Sequence, residues 1–361
     1  MTTMGSFRTE EELVAWFNSE PATGETEAKA LTGIVKGGSV RRFYRLLGEE
    51  EQSLGVLMQF STEKEENNFY AGISGFLTEL GVPVPKILHH DSEKGLAVLQ
   101  DLGSQDLHAF RDAPWPELKA HYLQILQAVC KIWQAGETDV KSRDWLKLMD
   151  GFDARLYTWE RDYFFDQCIT RLVEEVKPES RDAMHQECQI LQELLLKQEV
   201  HLVHRDFQSH NIMLGESGPA FVDFQGLRTG TWFYDLASLL YDPYMSLTDN
   251  RRDELIGFTA EMMGWPGSDA EFDIILHAAV VQRLMQALGA YGYLGKELEK
   301  EEFLGYIPIA AKELHTLATE MGLLEVAQLA KSVMGEKKQN RRNRNRNRRR
   351  RSSTKSEPQD N

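Results

Sequence analysis

The spacing of apolar and polar residues divides the first hundred positions into alternating helical and strand-like segments. In the first segment, Thr9 and Glu12 stand three residues apart at the start of an apolar stripe, the pattern of a capped amphipathic helix. The strand-like segments are separated by a Gly-Gly pair and by an acidic turn. In chain order the sequence predicts a helix at 9–18, strands within 31–60, a helix at 63–80, and strands within 86–91 and 95–103.

From residue 104 onward the apolar residues fall mainly at helical spacing. The predicted helices are 116–136, 144–177, 180–198, 251–264, 268–294, 299–320 and 323–334. One β-like stretch, residues 200–225, interrupts them. We therefore predict an α+β protein with a small antiparallel β-lobe at 1–103 and a larger, mainly helical lobe at 104–335, joined by a connector near 100–103.

The basic residues are concentrated in the last part of the sequence. Residues 336–361 contain 11 lysines and arginines against 3 acidic residues, a net charge of +8; the whole chain carries −15, so the rest carries −23. This Arg/Asn-rich tail cannot bury apolar surface, and we predict that it is disordered. Its charge density suits RNA or another anionic surface, and a solvated extension with no partner fits the composition equally well.

Composition also bears on the compartment. We find no apolar run long enough to predict a membrane span, and the first residues lack the basic and apolar regions of a secretory signal. Cys130, Cys168 and Cys188 are widely spaced, which argues against a disulfide framework or a zinc site. We expect a cytoplasmic protein whose acidic body repels nucleic acid. The acidic charge would also suit a cationic substrate, although solvated surface acid is the commoner explanation. The oligomeric state does not follow from the sequence.

Residues 201–225, HLVHRDFQSHNIMLGESGPAFVDFQ, carry the most distinctive polar cluster of the chain. The stretch predicts a strand, a polar loop, a second strand, a turn at GESG, and a third strand that ends before Asp223. Because the second and third strands form a hairpin, we expect Asp223 to return beside the loop that holds Asp206 and Asn211.

Two carboxylates and an amide in this arrangement suit phosphoryl transfer. One carboxylate orients a substrate hydroxyl and accepts its proton, while the amide and the second carboxylate hold Mg²⁺ on the nucleotide phosphates. Magnesium prefers hard oxygen ligands and keeps several waters, so two protein ligands suffice. Taken alone, Asp206 and Asn211 fit an Asx-type turn better. The position of Asp223 and the upstream β-lobe favour a kinase.

The same segment resembles the catalytic and metal-binding loops of the protein-kinase-like superfamily, with HRDFQSHN for HRDxxxxN and DFQ for DFG. More narrowly, the chain is similar to the aminoglycoside phosphotransferase/choline kinase-like family. Within that family it looks most like bacterial kinases of the anomeric hydroxyl of N-acetylmuramate and N-acetylglucosamine. The likeness spans about residues 30–335, and its further segments are GGSVRRFYRL, VLMQF, GVPVPKIL, LQDLG and GTWFYDLASLLYDPY.

The resemblance implies a two-lobe protein-kinase-like fold that uses ATP and Mg²⁺, and a role for each polar residue of the segment. Asp206 would be the catalytic carboxylate, and Asn211 and Asp223 the Mg²⁺ ligands. The residues implied to support the loop are His204, Arg205 and Asp235, the last by accepting backbone N–H bonds. The residues implied to line the sugar pocket are Gln208, Ser209, Gln225, Asp242 and Tyr244.

On the nucleotide side, Gly37, Gly38 and Ser39 form the candidate turn over the phosphates. Glycines let the backbone approach the phosphates, and consecutive N–H groups form an anion nest. An ordinary hairpin turn is the alternative. In the connector, the backbone groups of Gln100 and Leu102 would face the adenine edge, whereas Asp101 is expected to be a turn or hinge residue.

One position departs from the protein kinases, which place a phosphate-gripping lysine on the third strand. Met58 occupies that place here and carries no charge, a substitution that the anomeric kinases are expected to share. Another cation must then balance the phosphates. The candidates are Mg²⁺, Lys64, Arg41 and Arg42, although both arginines would also fit a solvated strand end.

These expectations lead to three functional hypotheses. The first is a cytoplasmic ATP-dependent kinase that phosphorylates the C1 hydroxyl of an N-acetylated amino sugar to a sugar 1-phosphate, in the recycling of cell-wall sugars. The second is a kinase of the same fold that acts on another alcohol, such as an aminoglycoside or choline. The third is a weak kinase-like binding module with an RNA-binding tail, which Met58 favours and the intact Asp206, Asn211 and Asp223 disfavour.

Overall fold

The structure, a computed structural model, describes residues 8–20, 26–34 and 41–335 of the chain. Two predicted features lie outside these residues, namely the phosphate-covering turn of Gly37, Gly38 and Ser39, and the tail at 336–361. Within the described residues, an antiparallel sheet is followed by mainly helical structure, which confirms the predicted α+β class.

The N-terminal part of the fold is a five-stranded antiparallel sheet. Its strands are β1 (Ala30–Ile34), β2 (Arg42–Leu47), β3 (Ser53–Gln59), β4 (Ile87–Asp91) and β5 (Leu96–Leu99), in the spatial order β1-β2-β3-β5-β4. The central strand β3 places Met58 opposite Phe43 of β2 and Ala97 of β5. Successive side chains point to opposite faces of the sheet, so β3 contributes to both.

Helix α1 (Glu10–Ser19) covers one face of this sheet. The predicted capping box is present, because the Thr9 hydroxyl accepts the N–H of Glu12 (3.3 Å) and the Glu12 carboxylate accepts the N–H of Thr9 (2.8 Å). The buried cluster between the helix and the strands consists of Leu13, Trp16, Phe17, Ala28, Leu46, Leu57, Leu96 and Val98. Each leucine, valine or phenylalanine side chain of this cluster contributes about 1.5–3 kcal/mol when fully buried.

The predicted helix at 63–80 forms two helices, α2 (Glu65–Asn68) and α3 (Tyr70–Glu79). The chain leaves helix α3 through Gly81, whose φ of 71° lies in the left-handed region that favours glycine. There the N–H of Val82 donates to the carbonyl of Leu77 (2.9 Å), which satisfies one of the last helical carbonyls.

Ten further helices are found in the described residues after the sheet. They are α4 (Trp115–Trp133), α5 (Glu137–Lys141), α6 (Ala154–Phe164), α7 (Thr170–Leu172), α8 (Ser180–Leu196), α9 (Phe233–Leu240), α10 (Asp249–Met263), α11 (Asp269–Gly292), α12 (Ile307–Glu320) and α13 (Leu324–Val333). A π-helical turn, Phe165–Ile169, joins α6 to α7.

The predicted helix at 144–177 is wrong over its first ten residues. The N–H of Phe152 donates to the carbonyl of Thr229 (2.8 Å), so the chain is extended there. The helix begins only after Asp153, whose carboxylate accepts the N–H of Leu156 (2.8 Å) as an N-cap.

The β-like stretch at 200–225 forms the predicted strands. Strand β6 (His201–Val203) pairs with β9 (Arg228–Gly230), and β7 (Ile212–Gly215) forms an antiparallel hairpin with β8 (Gly218–Phe221). The GESG turn is confirmed, and Gly218 adopts a φ of 96° there. This hairpin ends two residues before Asp223.

The chain divides into two compact units. One comprises Met1–Phe152 with Gln198–Asp269 and contains all the strands of the described residues. The other comprises Asp153–Lys197 with Ala270–Asn361, and there α8 packs against α6 and α13. The predicted lobe boundary after residue 103 is not a boundary between these units and stays a prediction. Within the described residues, none of the helices has the length and apolar character needed to cross a membrane.

Candidate active site

The polar loop after β6 is tied to the hairpin by hydrogen bonds. The amide Nδ2 of Asn211 donates to the carbonyl of Asp206 (2.9 Å), and the N–H of Val222 donates to the carbonyl of Asn211 (3.0 Å). His204 Nε2 lies 3.1 Å from the carbonyl of Val222, so this nitrogen carries a proton and donates it. Since Asp223 follows Val222 directly, these bonds bring the three predicted residues to one place in the first unit.

Two non-glycine residues of this loop region have left-handed backbone conformations. Arg205 has a φ of 77° and Asp223 a φ of 69°. Each such conformation costs about 1–3 kcal/mol and persists only where surrounding contacts hold it. The backbone strain therefore lies at Arg205, directly before Asp206, and at Asp223 itself.

Asp235, at the start of α9, forms hydrogen bonds with the start of the polar loop after β6. Its buried carboxylate accepts the backbone N–H groups of His204 (2.7 Å) and Arg205 (2.8 Å) and the indole N–H of Trp133 (3.1 Å). Burial raises the pKa of Asp235 to about 7, although these three donors favour its ionised form. Trp133, on α4, was not predicted from the sequence, because nothing local links it to a residue a hundred positions away.

Asp242 is placed in the same manner. Its buried carboxylate accepts the N–H of Ser209 (2.8 Å) on one oxygen and the N–H of Tyr244 (3.0 Å) on the other. Burial raises the pKa of this carboxyl above its ordinary value. These contacts favour support of the loop over the predicted contact with a sugar.

Of the five residues predicted to line a sugar pocket, only Gln208 is partly exposed in the structure. Its N–H donates to the carbonyl of Asp206 (3.0 Å), which places it at the catalytic loop. Gln225 is buried, and its amide Nε2 donates to the carboxylate of Asp223 (3.0 Å). The sugar contacts of all five residues stay predictions.

Asp223 is paired with a cation. The guanidinium of Arg41, immediately before β2, forms an ion pair with its carboxylate. The Arg41 side chain is 8% exposed and that of Asp223 is 21% exposed, so the pair is only partly screened by water.

Burial raises the pKa of Tyr70, and the nearby charge of Arg41 opposes that rise, so Tyr70 lies beside the same pair. Its ring also stacks on Phe224, with centroids 4.7 Å apart.

Strand β3 provides no cation for this region. Its sequence is SLGVLMQ, and Met58 is buried at the place where the resemblance expected a lysine. Arg42, next to Arg41, is exposed. Among the predicted candidates, Arg41 is therefore the cation that the structure brings to the carboxylate of Asp223.

The connector contains the expected turn residue. The carboxylate of Asp101 accepts from Arg45 Nε (2.6 Å), from the Ser53 hydroxyl (2.5 Å) and from the N–H of Gly103 (2.9 Å). Burial raises the pKa of Asp101, but the three hydrogen bonds and the charge of Arg45 together outweigh it, so the pKa is lowered. The N–H of Gln100 donates to the carbonyl of Lys86 (2.8 Å), so only the carbonyl of Gln100 remains a candidate for adenine.

The residues present fit a magnesium ion. Donation by Nδ2 of Asn211 to a backbone carbonyl fixes the amide so that Oδ1 is the atom left as an acceptor. Asp223 supplies a carboxylate that already has a cation, Arg41, beside it. Amide and carboxylate oxygens are the hard ligands that Mg²⁺ prefers.

Comparison with known proteins agrees with this arrangement. The sequence profile of the phosphotransferase enzyme family, APH, matches residues 30–269, which is more than half of the chain. The chain belongs to this family. Membership makes it a phosphotransferase enzyme of the kinase type, as the motifs predicted.

Curated relatives extend over most of the chain. The N-acetylmuramate/N-acetylglucosamine kinase of Pseudomonas aeruginosa is 28% identical over 318 residues, which cover 86% of this chain and 90% of that protein. The enzyme of the same name from Neisseria meningitidis serogroup B is 29% identical over 309 residues, 81% of this chain and 89% of that protein. Both are therefore similar to this chain over nearly their whole length.

Solved structures confirm the fold. The choline kinase LicA of Streptococcus pneumoniae, in complex with AMP, superimposes with a TM-score of 0.56 at 16% identity. The match covers 86% of this chain and all of LicA. The predicted kinase-like fold is thus shown by a relative whose sequence has diverged widely.

Proposed function

We propose that this enzyme transfers the γ-phosphoryl group of ATP to the anomeric hydroxyl of N-acetylmuramate or N-acetylglucosamine. The names of the relatives at 26–29% identity support this acceptor class. The kinase-like fold, and the AMP bound to LicA, support the nucleotide. The observation that carries the proposal is the set of hydrogen bonds that joins Asp206, Asn211 and Val222 next to Asp223.

In the proposed reaction, the substrate hydroxyl binds at the carboxylate of Asp206. The C1 hydroxyl oxygen attacks the γ-phosphorus, the bond between that phosphorus and the bridging oxygen of the β-phosphate breaks, and ADP leaves. The carboxylate of Asp206 orients the hydroxyl and accepts its proton. The side chain of Asp206 is 32% exposed, so a substrate hydroxyl has access to it. An anomeric hydroxyl is more acidic than an ordinary alcohol, which reduces the demand on this base.

Asn211 and Asp223 would hold Mg²⁺ through their side-chain oxygens. The ion, when bound, neutralises charge on the nucleotide phosphates. Asp235 keeps the loop in register by fixing the backbone N–H groups of the consecutive residues His204 and Arg205. Its contribution is therefore to the position of Asp206, which follows Arg205.

Arg41 is proposed to replace the missing strand lysine. Its guanidinium already lies on the metal-binding carboxylate, and a phosphate brought to that carboxylate by Mg²⁺ would come within its reach. Arginine suits this role because its fork of N–H donors binds phosphate oxygens in pairs. The turn of Gly37, Gly38 and Ser39, Arg42, the carbonyl of Gln100 and the N–H of Leu102 complete the proposed nucleotide site.

The remaining parts of the proposal concern place and partners. We infer that the enzyme works in the cytoplasm, where ATP is supplied, in the recycling of cell-wall sugars. The tail at 336–361 is proposed to contact nucleic acid or another anionic surface, or to have no partner, and in neither case to take part in turnover.

Acceptor profiling with product analysis tests the proposal. The purified chain would be given Mg-ATP with N-acetylmuramate, N-acetylglucosamine, choline or an aminoglycoside, and ADP release would be followed. We expect turnover with the N-acetylated sugars and a product that has lost its reducing end and shows a glycosyl phosphate by ³¹P NMR.

The matched control is the methyl glycoside of N-acetylglucosamine, in which the C1 hydroxyl is blocked. It should not be phosphorylated, and turnover on this glycoside would refute the anomeric position. Phosphorylation of choline or an aminoglycoside instead would support the second hypothesis. ADP release that no acceptor stimulates would support the third.

A further inference from the structure

Four polar side chains form a second cluster, where the segment after the connector meets the catalytic loop. Asp106 lies 2.7 Å from His210 Nδ1, the rings of His108 and His210 are 4.4 Å apart, and Arg111 Nη1 lies 2.7 Å from His108 Nε2. We call Asp106, His108, Arg111 and His210 the basic cluster. No local sequence pattern links this cluster, because His108 and His210 are about a hundred positions apart.

The basic cluster is next to the proposed chemistry. His210 stands between Ser209 and Asn211 in one short helical turn, and consecutive Cα atoms are about 3.8 Å apart. The Asn211 side chain in turn contacts the backbone of Asp206. A sugar whose hydroxyl lies on Asp206 therefore has the basic cluster beside it.

The contacts within the cluster suit an anion better than a metal ion. Asp106 and the two histidines are close enough to be metal ligands, but His108 Nε2 and both oxygens of Asp106 already accept hydrogen bonds. The Asp106 carboxylate accepts from His210 and from the N–H of Ala109 (3.0 Å). A guanidinium can only donate, so His108 Nε2 accepts from Arg111, and a metal ion there would face the charge of Arg111.

The cluster also offers donors and positive charge to a ligand. The side chain of Arg111 is 48% exposed. Besides His108 it contacts the carboxylate of Asp112, which lies 3.3 Å from Nε and is 89% exposed, so this surface ion pair is weak. Burial lowers the pKa of His108, as do the charges of His210 and Arg111, so at neutral pH His108 keeps one N–H on Nδ1. The positive charge of Arg111 beside the catalytic loop contrasts with the acidic body of the chain.

N-acetylmuramate differs from N-acetylglucosamine by a lactyl ether that ends in a carboxylate. We propose that Arg111, supported by His108 and His210, binds the carboxylate of an acidic acceptor sugar and thereby selects N-acetylmuramate over N-acetylglucosamine. This inference rests on the proposed function. The fork of a guanidinium binds a carboxylate in pairs of hydrogen bonds, and Asp106 holds the His210 ring in place.

The test is the Arg111→Met variant, assayed with both sugars and by calorimetric titration with N-acetylmuramate. We expect KM and Kd for N-acetylmuramate to rise about tenfold, with little change in kcat, because a charge-assisted hydrogen bond is lost. The ratio of kcat/KM for N-acetylmuramate to that for N-acetylglucosamine should fall by a similar factor. Arg111→Lys should keep part of the selectivity, since it keeps the charge.

Arg251→Met is the matched control, because Arg251 is a partly exposed arginine of the same unit that lies over the ring of Trp115. It should leave the ratio unchanged. An equal loss with both sugars in Arg111→Met, or no loss with either, would overturn the subsite. If the wild type phosphorylates neither sugar, the proposed function fails; calorimetry then still decides whether Arg111 binds the carboxylate.

Discussion

Arg41 and Asp223 form an ion pair although they stand 182 positions apart in the chain. The pair joins the residue before β2 to the carboxylate that we propose as a Mg²⁺ ligand. Arg41 thus supplies, at Asp223, the positive charge that Mg²⁺ would supply in the proposed function. We infer that the guanidinium of Arg41 leaves the carboxylate of Asp223 and binds the nucleotide phosphates when Mg²⁺ and nucleotide bind together.

This exchange predicts opposite effects of Arg41→Met on two ligands. The variant should bind nucleotide about tenfold more weakly, because a charge-assisted contact to phosphate is lost. It should bind Mg²⁺ alone more tightly, because no guanidinium competes for Asp223. Calorimetry with each ligand measures both effects, and Arg42→Met, at the exposed neighbouring residue, should show the smaller change in nucleotide affinity. Unchanged nucleotide affinity in Arg41→Met would contradict the role.

Asp206→Asn should lower kcat about 10²–10⁴-fold, because the amide cannot accept the proton of the hydroxyl. The carboxylate is partly exposed, so its loss should leave the urea unfolding midpoint nearly unchanged. Asp112→Asn is the control, since that surface carboxylate is 89% exposed and far less constrained. Near wild-type turnover in Asp206→Asn would remove this residue from the mechanism.

The buried Asp235 predicts a pH-dependent effect on stability. Its pKa is raised from 3.8 to about 7 in the folded protein, so between these values the folded state holds a proton that the unfolded chain has lost. The stability that this proton confers is present at low pH and is lost as the pH rises through 7, by up to about 1.4 kcal/mol per unit.

Asp235→Asn does not titrate and loses an acceptor for the loop N–H groups. It should be less stable than the wild type at pH 5, by about 1–3 kcal/mol, and the difference should shrink by pH 8. Urea unfolding at both pH values measures the difference. A difference that stays the same between pH 5 and pH 8 would show that the carboxylate is ionised throughout this range.

Removal of residues 336–361 should leave kcat and KM unchanged, because all the proposed site residues lie before this tail. Any affinity of the full chain for RNA should fall steeply with salt and disappear in the truncated protein. Steady-state kinetics and binding at two salt concentrations test both statements. Loss of turnover on truncation would show that the tail belongs to the catalytic machinery.

The sequence was sufficient where the structure depends on neighbouring residues. The capping box of Thr9 and Glu12 and the hairpin turn at Gly218 were predicted because each is set by a few adjacent residues. The fold class followed from the change of apolar period at residue 104. The motif around Asp206 was predictable because its spacing is itself local.

The sequence was insufficient where distant residues decide the outcome. All eight residues of α9, Phe233–Leu240, are buried, so the helix shows no polar face and was not predicted. The hydrogen bond from the N–H of Phe152 to the carbonyl of Thr229 is not visible in the sequence, and helix α6 begins only after it. Likewise, the choice of Arg41 among several cations, and the support of Asp235 by Trp133, depend on contacts that appear only in the folded chain.

The most direct test of the site is the binding of Mn²⁺, as a spectroscopic substitute for Mg²⁺, measured by EPR in the presence of a non-hydrolysable ATP analogue. We predict that Asp223→Asn and Asn211→Ala lower the affinity for Mn²⁺ about tenfold or more. Asp206→Asn should keep the wild-type affinity for the ion and lose only turnover. Wild-type Mn²⁺ affinity in both the 223 and 211 variants would contradict the claim that these two side chains hold the ion beside Asp206.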